Sequence, residues 1–436
     1  MPAAIRCLSF KWQLMMNILH TVEFYSPSVG GAQEVVRQIS ERLAGRGHNV
    51  TVATTRLAER QSLEIDGVKI QGFDISGNAV WGMRGEVERY QKFLLEGRFD
   101  VMLNYAAQQW TMDAAFPVLD RLPYRKVMVP CGFSSLYNPA YRGYFLAMPK
   151  IMHLYDHLVF PSSDYRDIRF AREHGLEHYS VIPNGADERE FGALAPDFRT
   201  GYGITVNEPL LLTIGSHTGQ KGHRLCLDAF QGLKRTRATL VIIGNVIAKA
   251  NWWKHCARPV LGALRRREVG RARDILFRIL LVGLGSGCLP ECRAQARWIN
   301  LHDSGKRVLV LDPPRQDVVA ALQAADLFVF GSNIECSPLV LFEAMAAGTP
   351  FLSLACGNAQ EIAAWGRGGR IAPTLRQPNG EVDGAPPVFS QEIDALLDDP
   401  QERARMGAAG QQAWREHFTW EKIALRYETL YNQLAR

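Results

Sequence analysis

Apolar runs of strand length alternate with amphipathic stretches of helix length along nearly the whole chain, which predicts an α/β protein of two doubly wound domains. Three observations carry this. The strand runs are continuously apolar rather than alternating, as in parallel sheets covered on both faces. A glycine-bearing turn follows the first strand of each half. The chain has 436 residues, enough for two cores.

In the first half, residues 17–22, 49–54, 68–73, 100–104, 126–129, 157–160 and 180–182 are predicted strands. The helix at 31–44 sets Val35, Val36, Ile39 and Leu43 on one face. Gly30 and Gly31 open that helix, where paired glycines let a ligand approach backbone amides; a plain tight turn accounts for them equally well. Residues 193–206, with Pro196, Gly201 and Gly203, are the predicted linker. The domains are therefore expected at 16–192 and 205–412. Residues 413–436 close the chain with Trp420, Ile423, Ala424, Tyr427, Leu430 and Tyr431 at helical spacing.

The second half opens with the strand 210–214. Gly215-Ser216-His217-Thr-Gly-Gln-Lys221-Gly222 follows, then a helix through Phe230 and a strand at 239–243. A lysine after a glycine-bearing loop either reaches a phosphate as a point charge or lies in solvent. Residues 247–306 read as an insert before the strand 308–311. Within it, 261–280 put Leu261, Leu264, Val269, Ile275 and Leu276 on one helical side and Arg266, Arg267, Arg271, Arg273 and Arg278 outside it. Beside Trp252-Trp253 this is a basic helix for an anionic membrane surface, or a solvated arginine face over an ordinary core contact. Gly262, Arg265, Glu268 and Gly270 interrupt the pattern and favour the latter. His255-Cys256 and Cys288-x3-Cys292 offer four ligand atoms at a spacing outside the standard zinc patterns, and buried or idle thiols explain them as well. No metal and no other cofactor is expected.

Composition excludes other classes. The chain is 47% hydrophobic and 22% charged, as soluble proteins are. No run approaches bilayer length, and residues 1–13 lack the centre and cleavage site of a signal peptide. Met15 or Met16 can serve as the start. The eight scattered cysteines fit a reduced, cytoplasmic protein. A net charge of +6 permits attraction to nucleotides or anionic headgroups and requires no nucleic acid.

The stretch richest in chemistry begins at the strand 327–330. A loop with Glu335 follows, then a predicted helix with Ser337 as N-cap, Pro338 at its first position and Gly348-Thr349-Pro350 as its stop. Glu343 lies roughly 7–8 Å down the axis from Pro338, leaning back toward the helix start. Open amides there hold an anion such as a diphosphate. Glu343 is then placed for a ribose diol, and Glu335 for hydroxyls on whatever the diphosphate carries. Taken alone, the two are as readily a surface loop residue and a solvated helix position. Residues 317–325 are a further predicted helix, and 377–387, rich in Pro and Gly, a surface loop.

The run Glu335-Cys-Ser-Pro-Leu-Val-Leu-Phe-Glu343-Ala-Met-Ala-Ala-Gly-Thr-Pro resembles the Glu-x7-Glu signature of retaining glycosyltransferases of family 4. Val181-Ile-Pro-Asn-Gly185-Ala-Asp187 and Gly357-Asn-Ala-Gln-Glu361-Ile resemble further motifs of that family. The resemblance implies the GT-B fold, two Rossmann-like domains facing across a cleft, with the last helix crossing back onto the first. It implies retaining sugar transfer from a UDP- or GDP-linked donor to a glycan or lipid-linked acceptor in cell-surface polysaccharide synthesis, without a metal, in the cytoplasm or at the inner face of the membrane. Lys221 and the amides of Ser337, Leu339 and Val340 would hold the diphosphate; Pro338 has no amide hydrogen. Gly215 and Ser216 would line it, Glu335 would position sugar hydroxyls, and Gly30, Gly31 and Cys131 would face the transferred sugar. Two departures bear on activity. Ser216 stands where the family has an arginine, with His217 or a later arginine as candidate substitutes. Cys131, Gln108 and Gln109 stand where histidines are common. The alternative is a catalytically weak sugar-nucleotide-binding protein of the same fold.

Overall fold

The computed structural model describes residues 15–193, 195–245 and 288–436. The expected basic helix at 261–280, Trp252-Trp253 and His255-Cys256 lie outside the described residues. The chain divides into two compact units, Met1–Pro183 with Trp420–Arg436, and Asn184–Thr419. None of the described helices is long and apolar enough to cross a membrane.

In the first unit the parallel strands are β1 (Asn17–Thr21), β2 (Asn49–Thr55), β3 (Val68–Phe73), β4 (Val101–Tyr105), β5 (Arg125–Val129), β6 (His157–Phe160) and β7 (Tyr179–Val181). They pair in the order β3-β2-β1-β4-β5-β6-β7, with Glu64–Ile65 antiparallel at the β3 edge. In the second unit β8 (Leu210–Ile214), β9 (Ala238–Ile243), β10 (Lys306–Leu311), β11 (Leu327–Phe330), β12 (Phe351–Ser353) and β13 (Gly369–Ile371) pair as β10-β9-β8-β11-β12-β13, all parallel. Counted within its own unit, each sheet carries the Rossmann order 3-2-1-4-5-6. Winding reverses between the first and fourth strands, which leaves a ligand-sized crevice at their carboxyl ends. The strands beside that point, β4 and β11, are buried along their whole length. Their apolar side chains fit only a sheet covered by helices on both faces.

Six helices matter below: α1 (Gly31–Gly45), α2 (His223–Gln231), α3 (Leu289–His302), α4 (Arg315–Ala324), α5 (Leu339–Ala347) and α6 (Trp420–Leu434). α6 buries Trp420, Ile423, Ala424, Tyr427, Leu430 and Tyr431, the face its spacing predicts. Polar contacts fix its register. Tyr431 Oη lies 3.1 Å from His20 Nε2, and His20 Nδ1 lies 2.7 Å from Ser40 Oγ. Glu428 takes His48 Nε2 at 2.8 Å on one oxygen and Arg46 Nε at 2.7 Å on the other.

Three stretches differ from expectation. The units divide at Pro183/Asn184, not within 193–206. Asn184 Nδ2 donates to the Ser337 carbonyl at 3.0 Å, and Trp414 Nε1 donates to the Ala186 carbonyl at 3.1 Å, so 184–192 belongs to the second unit. Residues 197–204 also pack there, through buried Phe198 and Ile204 and the Arg199–Asp326 pair at 2.8 Å. Pro196, Gly201 and Gly203 mark turns, not a free linker. Within 377–387, residues 377–381 turn the small hairpin of Leu375–Arg376 and Val382–Asp383, while Pro386 opens the helix Pro386–Asp398, a position that suits proline.

The side chain of Glu428 is 1% exposed, so Glu428→Ala takes the carboxylate from buried His48 and leaves Arg46 with Glu421 at 2.8 Å; urea unfolding is expected to show a loss of about 1–3 kcal/mol, and a change under about 0.5 kcal/mol contradicts the assignment. Burial lowers the pKa of His20 to about 3. Below about pH 6.5 the unfolded chain binds a proton that the folded chain refuses, so stability falls as pH drops toward 3. Relative to His20→Gln, the wild type is expected to lose about 1.4 kcal/mol per pH unit below 6.5; parallel pH profiles contradict this.

Candidate functional site

The loops after β8 and β11 flank the switch point of the second sheet. Backbone closeness joins them. A Cβ on Gly222 would meet the Gly331 carbonyl oxygen at 1.8 Å, and Gly222 has φ +68, so only glycine fits this crossing. Asn333 N donates to the Gln220 carbonyl at 2.9 Å, and Ser332 Oγ lies 3.1 Å from the same oxygen. A Cβ on Gly215 would press on the Lys221 stem at 2.9 Å, so the bare backbone lets that side chain lie across it.

The result is an ion pair. Lys221 Nζ lies 2.7 Å from Glu335 Oε1, which also accepts from Ser332 Oγ at 2.9 Å. The next loop packs beneath: a Cβ on Gly357 would meet the Cys336 carbonyl at 2.6 Å, and Asn358 N donates to that carbonyl at 3.0 Å. Glu335 has 13% of its side chain exposed and Lys221 30%. Both are held, and both remain within reach of a ligand.

α5 begins one residue later than expected. Pro338 is its N-cap, at φ −68 and ψ 115, and no side chain caps it. Ser337 therefore stands too early to cap, and its Oγ is buried without a partner among the described residues. An uncapped helix start leaves its first amides to a ligand or water, beside an unused hydroxyl. Gly348, at φ +72, ends the helix as predicted. Glu343 faces Arg315, the first residue of α4, with Nη2 at 2.6 Å from Oε1; the same Nη2 lies 2.7 Å from Glu190 Oε2. A cation between two carboxylates at this end went unread in the sequence.

Of the candidate substitutes for the arginine missing at Ser216, His217 is buried against Cys288 and does not serve. Among the described residues, Arg315 is an arginine that meets Glu343.

The first unit shows a second concentration of unusual backbone at its own switch point. Among the described residues six non-glycines have positive φ, and Ala106, Gln108, Cys131 and Phe133 are four of them. They lie in the loops after β4 and β5, and such strain collects where a fold positions ligands. Gln108 Oε1 accepts from Ser134 Oγ at 3.2 Å and Gln109 Oε1 from Glu23 N at 3.3 Å, so both glutamines brace loops. Cys131 Sγ lies 4.0 Å from Tyr105 Oη. Gly30 is the N-cap of α1, with Gly31 its first residue.

Sequence reasoning missed Glu23 and Asp113. Burial, then Asp113, pushes Glu23 up to about 7; burial pushes Asp113 up to about 6. Asp113 accepts from Tyr144 Oη at 2.8 Å and from Ala79 N at 2.9 Å. The usable signal was position, since Glu23 lies two residues beyond β1, where a doubly wound sheet builds sites.

Two family models match. Residues 29–190 match "Glycosyltransferase Family 4" and residues 261–399 match "Glycosyl transferases group 1", together well over half of the chain. The D-inositol 3-phosphate glycosyltransferase of Xylanimonas cellulosilytica is 24% identical, over 97% of this chain and 97% of its own. The N-acetyl-alpha-D-glucosaminyl L-malate synthase of Bacillus anthracis is 36% identical, over 39% of this chain and 44% of its own. Among solved structures, sucrose-phosphate synthase from Thermosynechococcus elongatus superposes with TM-score 0.70 at 18% identity, covering 96% of this chain and 98% of that one. Anabaena Alr3699/HepE in complex with UDP gives 0.69 at 17%, covering 96% and 100%. These likenesses show the GT-B fold. The matched stretches and the two Rossmann-like units place this chain among the family 4, group 1 glycosyltransferases of GT-B fold.

Proposed function

We propose that the chain transfers a sugar, with retention of anomeric configuration, from a nucleoside-diphosphate donor bound at the switch point of the second unit. The observation that carries this is the Lys221–Glu335 pair at 2.7 Å, set beside a helix start and a buried Ser337 hydroxyl that, among the described residues, have no side-chain cap and no partner. Lys221 and the amides of Ser337, Leu339 and Val340 meet the charge that grows on the leaving diphosphate. Dipoles and a cation fixed before the reaction stabilise that charge without reorganising. Gly215 and Ser216 line the same loop. Glu335, freed from Lys221 by the phosphate, accepts from sugar hydroxyls and orients the ring. Glu343 exchanges Arg315 for the ribose diol.

The diphosphate has oxygens of its own to take the acceptor proton on the face from which it departs. Attack on that face gives retention, and it assigns no general base to the protein and no metal to the transfer. The donor is UDP- or GDP-linked. HepE has been solved with UDP and with UDP-glucose, which supports this donor class. The acceptor is a glycan or lipid-linked sugar, received by the first unit at Gly30, Gly31 and Cys131.

A second reading has its own observation. Ser216 and Cys131 replace a cation and a histidine that the family resemblance leads one to expect, which favours a binding protein with little turnover. Donor hydrolysis without acceptor separates the two. Lys221→Met and Glu335→Ala are each expected to lower turnover by roughly 10²–10³-fold while the protein stays folded. Equal, near-background hydrolysis by wild type and both variants would leave the binding protein as the reading.

A further inference from the structure

We propose that His217, His223, Cys288 and Cys292 form a structural zinc site that ties the start of α3 to the loop carrying Lys221. All four residues are buried, at 4%, 1%, 8% and 2% exposure. One ligand atom from each lies within 4.8 Å of the other three. The distances have the size a single ion requires. The two Nδ1 atoms are 3.2 Å apart, and Cys288 Sγ is 3.5 Å from each of them. Tetrahedral zinc with bonds of about 2.0–2.1 Å to nitrogen and about 2.3 Å to sulfur separates nitrogens by about 3.3 Å and nitrogen from sulfur by about 3.5 Å.

The local structure supplies the ligands in pairs. Cys288 is the N-cap of α3, and Cys292 N donates to its carbonyl at 2.8 Å. A spacing of four puts both thiols on one side of a helical turn. His223 is the first residue of α2, and His217 lies six positions earlier, held by Cys288 N donating to its carbonyl at 3.2 Å. Nε2 of each ring is buried without a partner among the described residues, so the edges that converge are the Nδ1 edges.

Two imidazoles and two thiols, all of buried residues, select zinc over hard cations, and two thiolates balance its charge. With four protein ligands there is no open position, so the site is structural. It goes beyond the Cys288-x3-Cys292 spacing in the sequence, because its other ligands come from outside the insert. Lys221 lies between the two histidines, in a loop with glycines of positive φ at 219 and 222. Fixing both ends of 217–223 holds that lysine in place, a consequence that rests on the donor-site reading; the metal site itself does not.

The test is metal content by mass spectrometry on the full chain, purified without chelator or histidine tag from zinc-supplemented cells. About one zinc per chain is expected, falling below about 0.2 in Cys288→Ser and in His223→Gln, with His302→Gln unchanged. Cobalt exchanged into the wild type is expected to give the intense visible bands of a tetrahedral site with sulfur ligands, so the proposal stays exposed if a variant fails to fold. Zinc below about 0.1 per chain with no cobalt bands overturns it. So does a Cys288–Cys292 disulfide, or a full zinc complement retained by folded Cys288→Ser and His223→Gln. None of these outcomes involves the donor, so failure here leaves the transferase reading standing.

Discussion

The second unit depends on one close approach: the backbone at Gly222 passes the Gly331 carbonyl nearer than any side chain allows. That crossing brings together two loops that leave the sheet at adjacent strands, and it sets Lys221 against Glu335. A partly exposed ion pair of this kind adds little to stability. Its value is positional, because a lysine and a carboxylate are held at the mouth of a switch-point crevice, next to a helix start that no side chain caps among the described residues. Arg315 between Glu190 and Glu343 is a second cation held by carboxylates, one of them on α5. In the proposed reading these pairs open in favour of phosphate and hydroxyl groups when the diphosphate binds and re-form when it leaves.

Much of this was legible in the sequence because it is local. Continuously apolar runs marked the parallel strands, and Leu210–Ile214 and Leu327–Phe330 fall where expected. Gly348 marked the end of α5 because only a left-handed residue was needed there. The start of α5 was misplaced by one residue, since Ser-Pro satisfies the capping rule whether or not the serine side chain turns toward the helix. The 193–206 stretch was misread for a similar reason. Proline and glycine announce turns, but only Phe198, Ile204 and Arg199 in their packed positions show that these turns belong to a core.

What the sequence hid is what tertiary structure assembles. Cys288 and Cys292 stood out by spacing, but their histidine neighbours lie 71 and 65 residues earlier. Glu343 and Arg315 are 28 residues apart, on separate helices, and no periodicity links them. The positive-φ residues after β4 and β5, and the carboxyl pair Glu23 and Asp113, depend on how strand ends converge in the first unit. Residue type alone gave Cys131, Gln108 and Gln109 only as departures from a pattern. The structure gives the glutamines a bracing role and Cys131 a strained backbone.

A crystal structure with a nonhydrolysable UDP-sugar tests the central claim most directly. The diphosphate is expected at the Pro338 end of α5, within hydrogen-bonding distance of Lys221 Nζ and the Leu339 and Val340 amides, with the ribose at Glu343 and the sugar at Glu335. A diphosphate bound elsewhere, with Lys221 still on Glu335 and Arg315 still on Glu343, would contradict it.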